Sequence, residues 1–243
     1  MFSILHRLNS AITRRLQSFM NSGELPDFLP TRNIDLRSNV TFNVLTLTKK
    51  YNLEYQNLCH VGAHKGDEID DYSGLNLEKV VLIEPITANF LILQERIKYL
   101  ENFRAIQVAA GDYDGETTMN LASNDLQSSS ILHPHLHLTE APDVLFDGEE
   151  LVKVDKLDSI LGSDFQLDFL VIDVQGFEMH VLRGAVESLL SAKYLFIEVN
   201  RGETYFDCAK VWEIDTWLKE FGFQRVLTRW WDLWGDSLYI RKG

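Results

Sequence analysis

Cysteine is scarce and basic charge is in deficit, and each shortage narrows what this chain can be. Its two cysteines, Cys59 and Cys208, stand in no metal-like spacing among 243 residues, which argues against a disulfide framework and a zinc site. A reducing cytoplasm is the expected compartment. Lysine and arginine number 23 against 36 aspartates and glutamates, a formal net charge of -13. The chain therefore lacks the basic surface that a phosphate backbone demands, and no nucleic-acid partner is expected. What remains is ordinary for a soluble globular protein, 45% hydrophobic and 24% charged, at a length that fits one α/β domain with decorations.

No acidic residue precedes Glu24, while Phe2, Leu5, Leu8, Ile12, Leu16 and Phe19 recur at helical spacing with Arg7, Arg14 and Arg15 between them. This predicts an amphipathic helix. It lacks the apolar core and cleavage site of a secretory signal and is too polar to cross a bilayer. Such a helix suits an anionic membrane surface, but docking on the domain or on a second copy of the chain is the preferred expectation. Gly23, Pro26 and Pro30 mark a connector, so residues 1–37 are read as helix and connector and 38–243 as the domain, with Val40 to Tyr51 a helix leading in.

The organising stretch of the domain is Val61-Gly62-Ala63-His64-Lys65-Gly66, between an apolar run from Leu58 and an acidic segment, Asp67 to Leu75, that suits a helix start. A strand passing through a glycine turn into a helix opens a doubly wound α/β domain, whose ligands sit at the carboxyl ends of the strands. Dinucleotide binding asks for G-x-G-x-x-G; counted from Gly62, the positions needing glycine hold His64 and Asp67. A G-x-x-x-G turn instead suits an adenosine with an amino-acid tail and no diphosphate, which is S-adenosylmethionine. A tight turn with no ligand is the plainer alternative.

Later strands deliver carboxylates to the same end. Lys79 to Ile83 runs into Glu84-Pro85, placing Glu84 to accept hydrogen bonds from a ribose diol. Thr87 is the expected N-cap of a crossover helix to Leu100. Arg104 to Ala110 reads as a third strand ending at Gly111-Asp112, where Asp112 either contacts an adenine amino group or serves the turn. Leu167 to Ile172, the strongest strand, ends at Asp173, placed at the topological switch point or as an N-cap of the next helix, Glu178 to Ala192. Lys193 to Val199 carries Glu198 inside an apolar run, buried and paired or turned into the cleft.

Glu116 to Ala122 and Leu151 to Val154 look like added strands, and between them residues 123–150 form an insertion of the kind that makes lids. It holds Gln127-Ser128-Ser129-Ser130 and His133-Pro134-His135-Leu136-His137. The alternating histidines are read as solvent-facing or substrate-contacting, with no metal site expected. Ala209 to Phe221 shows a helical stripe, and Phe223 to Trp231 with Ser237 to Arg241 must pair antiparallel, being too close for a crossover. Trp230, Trp231 and Trp234 are candidates for stacking on a sugar, with core or interface packing preferred.

The order of HVGAHKG, LIEP, VAAGDYDG, the serine run, KLDSIL, IDVQGFE, LRGA and IEVN resembles the FkbM family of S-adenosylmethionine-dependent methyltransferases, over most of residues 55–242. The resemblance implies a Rossmann-like α/β fold: a mostly parallel seven-stranded sheet, a C-terminal antiparallel hairpin and helices on both faces. It implies O-methylation of a hydroxyl on a sugar, glycan or related natural product, with cofactor held by Gly62, Ala63, Gly66 and Glu84. His60 stands where many such enzymes carry an acid, so His60 or His64 is assigned the amino-acid end of the cofactor. Pro85, Ala109, Asp112 and Asp173 complete the expected cofactor set. Asp173 is the expected base or orienting group, with Glu198 next, and Ser129, Ser130, His133 and Gln175 are expected to meet the acceptor. The alternatives are a non-catalytic cofactor- or acceptor-binding scaffold in glycan assembly and, third, a nicotinamide oxidoreductase.

Overall fold

A computed structural model describes residues 32–33 and 42–242; the amphipathic stretch and most of the connector lie outside them. In chain order the strands are β1 (Arg32–Asn33), β2 (Asn57–Val61), β3 (Lys79–Ile83), β4 (Phe103–Ile106), β5 (Ala109–Gly111), β6 (Gly115–Ala122), β7 (Phe146–Lys156), β8 (Phe169–Ile172), β9 (Tyr194–Asn200), β10 (Phe223–Trp231) and β11 (Trp234–Arg241). Seven of them form the main sheet in the order β10-β11-β9-β8-β2-β3-β4, with the two-residue β1 beside β10. The β2, β3, β4, β8 and β9 ladders are parallel, while β11 runs antiparallel to both neighbours. This is a Rossmann-like sheet closed by a C-terminal hairpin.

Alternate side chains of the central strands enter opposite cores, as the period of two requires. Cys59, Val61, Val81, Ile83, Leu170 and Ile172 pack on one face, and Leu58, Val80, Leu82, Phe169 and Val171 on the other. Burial on both faces explains why these strands read as unbroken apolar runs. The chain leaves β2 outward to β3 and β4, then returns to β8 on the other side of β2. The carboxyl ends of β2 and β8 thus adjoin, with Val61 opposite Ile172.

Several elements depart from the sequence expectation. The predicted Arg104 to Ala110 strand divides: Phe103–Ile106 stays in the main sheet, and Ala109–Gly111 joins a second sheet, β5-β7-β6. The predicted helix Glu178 to Ala192 stops at Arg183, and Gly184, its C-cap, packs so tightly that a Cβ there would lie 1.8 Å from the Gly111 carbonyl oxygen. A short 3-10 turn, Ser188–Leu190, follows. Thr87 is the first helical residue of Thr87–Ile97 and not its cap; Glu150 of β7 accepts from both its amide and its hydroxyl. The leading helix spans Val44–Tyr51, capped by the Asn43 side chain on the Thr46 amide at 2.9 Å. The run at Leu151 belongs to an eleven-residue strand, Phe146–Lys156, that takes in the end of the expected insertion.

Candidate active site

At the carboxyl ends of β2, β8 and β9 the insertion closes over a cavity of about 470 Å³. Asp173 and Glu198, which sequence reasoning set on separate strands, both line it, as do His60, Gly62 and His64 from β2 and its turn. Gln175 joins the two acids. Its Nε2 donates to Asp173 Oδ1 at 2.7 Å and to Glu198 Oε2 at 3.0 Å, while its Oε1 accepts from the Tyr205 hydroxyl at 3.2 Å. Gln175 has φ 53°, a left-handed conformation that costs a non-glycine residue about 1–3 kcal/mol and persists where surrounding contacts fix it.

Electrostatics follow from this crowding. Asp173 faces the cavity, and burial pushes its carboxyl above the usual carboxylate range, with the Glu68 charge adding to the effect against Gln175 and His60. Glu198 is 8% exposed and is held well above that range by burial first and by the Asp173 charge next. His60 is buried and lowered to about 4, desolvation outweighing Asp173, and its Nδ1 lies 3.1 Å from the Tyr72 hydroxyl. It is neutral at physiological pH, so it offers hydrogen bonding and no charge.

The glycine turn works differently from its sequence reading. Gly62 and Gly66 have φ 84° and 78°, but the space their missing side chains leave is filled by the protein itself. A Cβ on Gly62 would lie 1.7 Å from the Asp173 carbonyl oxygen, and one on Gly66 2.4 Å from Ile69 Cδ1. Both glycines let the turn pack on its own neighbours, and Gly62 seats β2 against the residue that carries Asp173. Ala63 is buried in the adjoining core. Glu84 lies beneath the turn, 4% exposed, with Oε2 accepting from the His64 amide and Oε1 from the Ile86 amide, each at 2.9 Å. Burial pushes it up to about 7 against these bonds.

Glu84, Pro85, Ala109 and Asp112 do not line the cavity. Ala109 packs with Ile86, Met119 and Val154, and Asp112 accepts from His180 Nδ1 at 3.1 Å. Nor do the expected acceptor residues of the insertion: Ser129 Oγ accepts from the Ala122 amide, Ser130 Oγ donates to the Gln175 carbonyl oxygen, and His133 is exposed. Their neighbours take those places. Ser128 and His137 line the cavity, with His137 Nε2 3.0 Å from Ser128 Oγ. His135 stacks on Phe206 at 4.2 Å. Among the described residues no group of three histidines, cysteines or acids is arranged to hold a metal.

Sequence reasoning passed over Asn200, Tyr205 and the insertion's Asn124. Asn200 follows Glu198 by two on a strand and so shares its face; that signal was present. Trp234 also lines the cavity, whereas Trp230 and Trp231 sit under the guanidinium groups of Arg201 and Arg229.

Residues 60–225 match the family described as the methyltransferase FkbM domain. The chain belongs to the FkbM methyltransferase family. Its domain is a methyltransferase with S-adenosylmethionine as cofactor. Among curated proteins, the chain is 31% identical over 121 residues to the 2-O-methyltransferase NoeI of Sinorhizobium fredii, an alignment covering 46% of this chain and 49% of that protein. The chain thus spans about half the length of that relative. Among solved structures it resembles an uncharacterized protein from Listeria monocytogenes, at 8% identity and TM-score 0.51 over 84% of this chain and 69% of that one. It also aligns with magnesium protoporphyrin IX methyltransferase from Synechocystis, solved with bound cofactor, at 10% identity and TM-score 0.47 over 84% and 87%. At such identities structural likeness speaks to fold alone.

The residues present fit this cofactor at its charged end. A sulfonium and an ammonium are cations, and the wall offers Glu68, Asp173 and Glu198.

Proposed function

We propose that this chain transfers a methyl group to a hydroxyl of a sugar, glycan or related natural product. The observation that carries the reading is the Asp173-Gln175-Glu198 constellation in the wall of a cavity that also presents hydroxyls, amides, imidazoles and the carboxyls of Asp67 and Glu68. When bound, the cofactor supplies an electrophilic methyl on sulfur, so the protein has to align an attacking oxygen and exclude water. Alignment of this kind is worth up to about 7–11 kcal/mol of barrier.

Asp173 Oδ1 is held by Gln175, which leaves Oδ2 to take the proton of an acceptor hydroxyl, a contribution of roughly 10²–10⁴ in rate. Glu198, favoured in its protonated form, relieves the repulsion that would otherwise cost Asp173 its charge. His64 Nε2 lies 2.8 Å from the Asp125 carbonyl oxygen, and Lys65 pairs with the Asp125 carboxylate, so the insertion is tied down over the turn. Transfer of tritium from labelled cofactor to a glycan library tests the reading: Asp173→Asn and Asp173→Ala should each lose at least about a hundredfold in kcat, and wild-type turnover in both would overturn the catalytic role.

A further inference from the structure

Glu198 and Asp236 stand directly opposite each other on β9 and β11, a pairing of like charges that opposes sheet formation. Burial first and the Asp173 charge next push Asp236 up to about 8. Asp67 and Glu68 face the same cavity from the glycine turn, and among the described residues no lysine or arginine lines it. Of the three imidazoles in its wall, burial drives His60 and His137 toward the neutral form, and His64 has its Nε2 taken by the Asp125 carbonyl oxygen. Lys65, beside the wall, is paired with Asp125.

The cavity nonetheless holds a donor in want of a ligand. Asn200 is 0% exposed; its Oδ1 accepts from the Thr204 hydroxyl at 2.7 Å, while its Nδ2 has no partner among the described residues. A buried amide left so favours a ligand oxygen that can accept. Trp234, opposite Asn200 in the ladder, offers an apolar face beside it. Neutral donors, an aromatic face and carboxyls in a wall that no described lysine or arginine lines suit a hydroxyl-bearing molecule that brings no negative charge of its own.

We infer that the acceptor is a polyol with no acidic group near the reacting hydroxyl, a neutral or amine-bearing sugar as opposed to a phosphorylated, nucleotide-linked or uronic one. This rests on reading the cavity as a methyltransferase site that takes the acceptor beside the cofactor, with Asn200 and Trp234 on the acceptor's side. An added phosphate or carboxylate would give up its water in a cavity with no described lysine or arginine lining it to pair with, and would sit among the carboxyls of Asp67, Glu68 and Asp173.

The test presents the full chain and tritiated S-adenosylmethionine with glucose, glucosamine, glucose 6-phosphate, glucuronic acid and UDP-glucose, and with a glycoside library divided by charge. S-adenosylhomocysteine binding is titrated on the same preparation. Methylation confined to the neutral and amine-bearing arms, by about a hundredfold in kcat/KM over their anionic counterparts, and a ratio that narrows in Glu68→Gln, would support the inference. Binding of S-adenosylhomocysteine together with equal or preferred methylation of phosphorylated or uronic sugars would overturn it while leaving the methyltransferase reading intact. Binding with no sugar methylated at all would overturn both the inference and the sugar reading, and absence of binding would overturn the cofactor reading beneath them.

Discussion

Replacing Gly62 by alanine should cost more than replacing Gly162, although both glycines have positive φ, 84° and 73°. At Gly162 nothing lies within 4 Å of the added Cβ, so the cost is the conformational strain alone, about 1–3 kcal/mol for a backbone of positive φ with ψ 165°. At Gly62 the Cβ would meet the Asp173 carbonyl oxygen at 1.7 Å, where real Cβ contacts essentially never fall under 3.0 Å. More than an ångström must be found by parting β2 from β8 at their carboxyl ends. That disturbs the Asp173 amide bond to the Val61 carbonyl at 3.0 Å and the Gly62 amide bond to Ile83 at 2.9 Å. At about 0.5–1.5 kcal/mol for each of the two bonds on top of about 1–2 kcal/mol of strain, Gly62→Ala should lose about 2–5 kcal/mol, a large part of an ordinary domain's stability. Urea denaturation followed by far-ultraviolet circular dichroism measures both variants. Equal losses, or a neutral Gly62→Ala, would refute the claim that this glycine serves the seam beneath Asp173.

Other consequences can be checked alongside it. Glu84 and Glu178 are both buried and pushed up to about 7 in the folded protein, burial being the first cause for each. An acid that holds its proton more tightly when folded contributes stability that is full below about pH 4.5 and lost as pH rises through about 7. The melting temperature should therefore fall across that window, more steeply in wild type than in Glu84→Gln. Asp215 accepts a bidentate pair from Arg225 at 2.9 Å and a bond from the Tyr239 hydroxyl at 2.9 Å. Asp215→Ala strands a largely buried guanidinium and should cost about 3–5 kcal/mol in urea denaturation; a loss under ~1 kcal/mol would show that water replaces the carboxylate there. His64→Ala removes one tie between turn and insertion, so S-adenosylhomocysteine should associate faster, read by stopped-flow fluorescence of Trp234 in the cavity wall; an unchanged rate would mean the insertion does not gate entry.

Much of the fold was legible because buried parallel strands write themselves as unbroken apolar runs, and β2, β3, β8 and β9 each carried one. That Asp173 and Glu198 reach the cavity wall was legible for the same reason: a carboxylate at or near the end of such a run has nowhere but the sheet's edge or the cleft to go. What failed depends on contacts distant in sequence. Nothing local in the segment from Glu178 says that Gly184 must meet Gly111, so that close approach was hidden. Glu150 supplying the cap of Thr87 is a contact across 63 residues. In the insertion the side chains that line the cavity are Ser128 and His137, and Ser129, Ser130 and His133 are turned elsewhere. An irregular segment has no periodicity to tell which side chain faces inward. The glycines were found, while their use in packing the turn on its own protein was invisible without a third dimension.

The central claim is that the cleft at the ends of β2, β8 and β9 receives a sulfonium nucleoside. Titrating S-adenosylhomocysteine into isotopically labelled protein, with NAD as the control, tests it most directly. The account predicts saturable one-site binding by S-adenosylhomocysteine alone, with amide shifts gathered at Gly62, His64, Asp173 and Asn200. Silence at those four amides, or shifts induced equally by NAD, would contradict it.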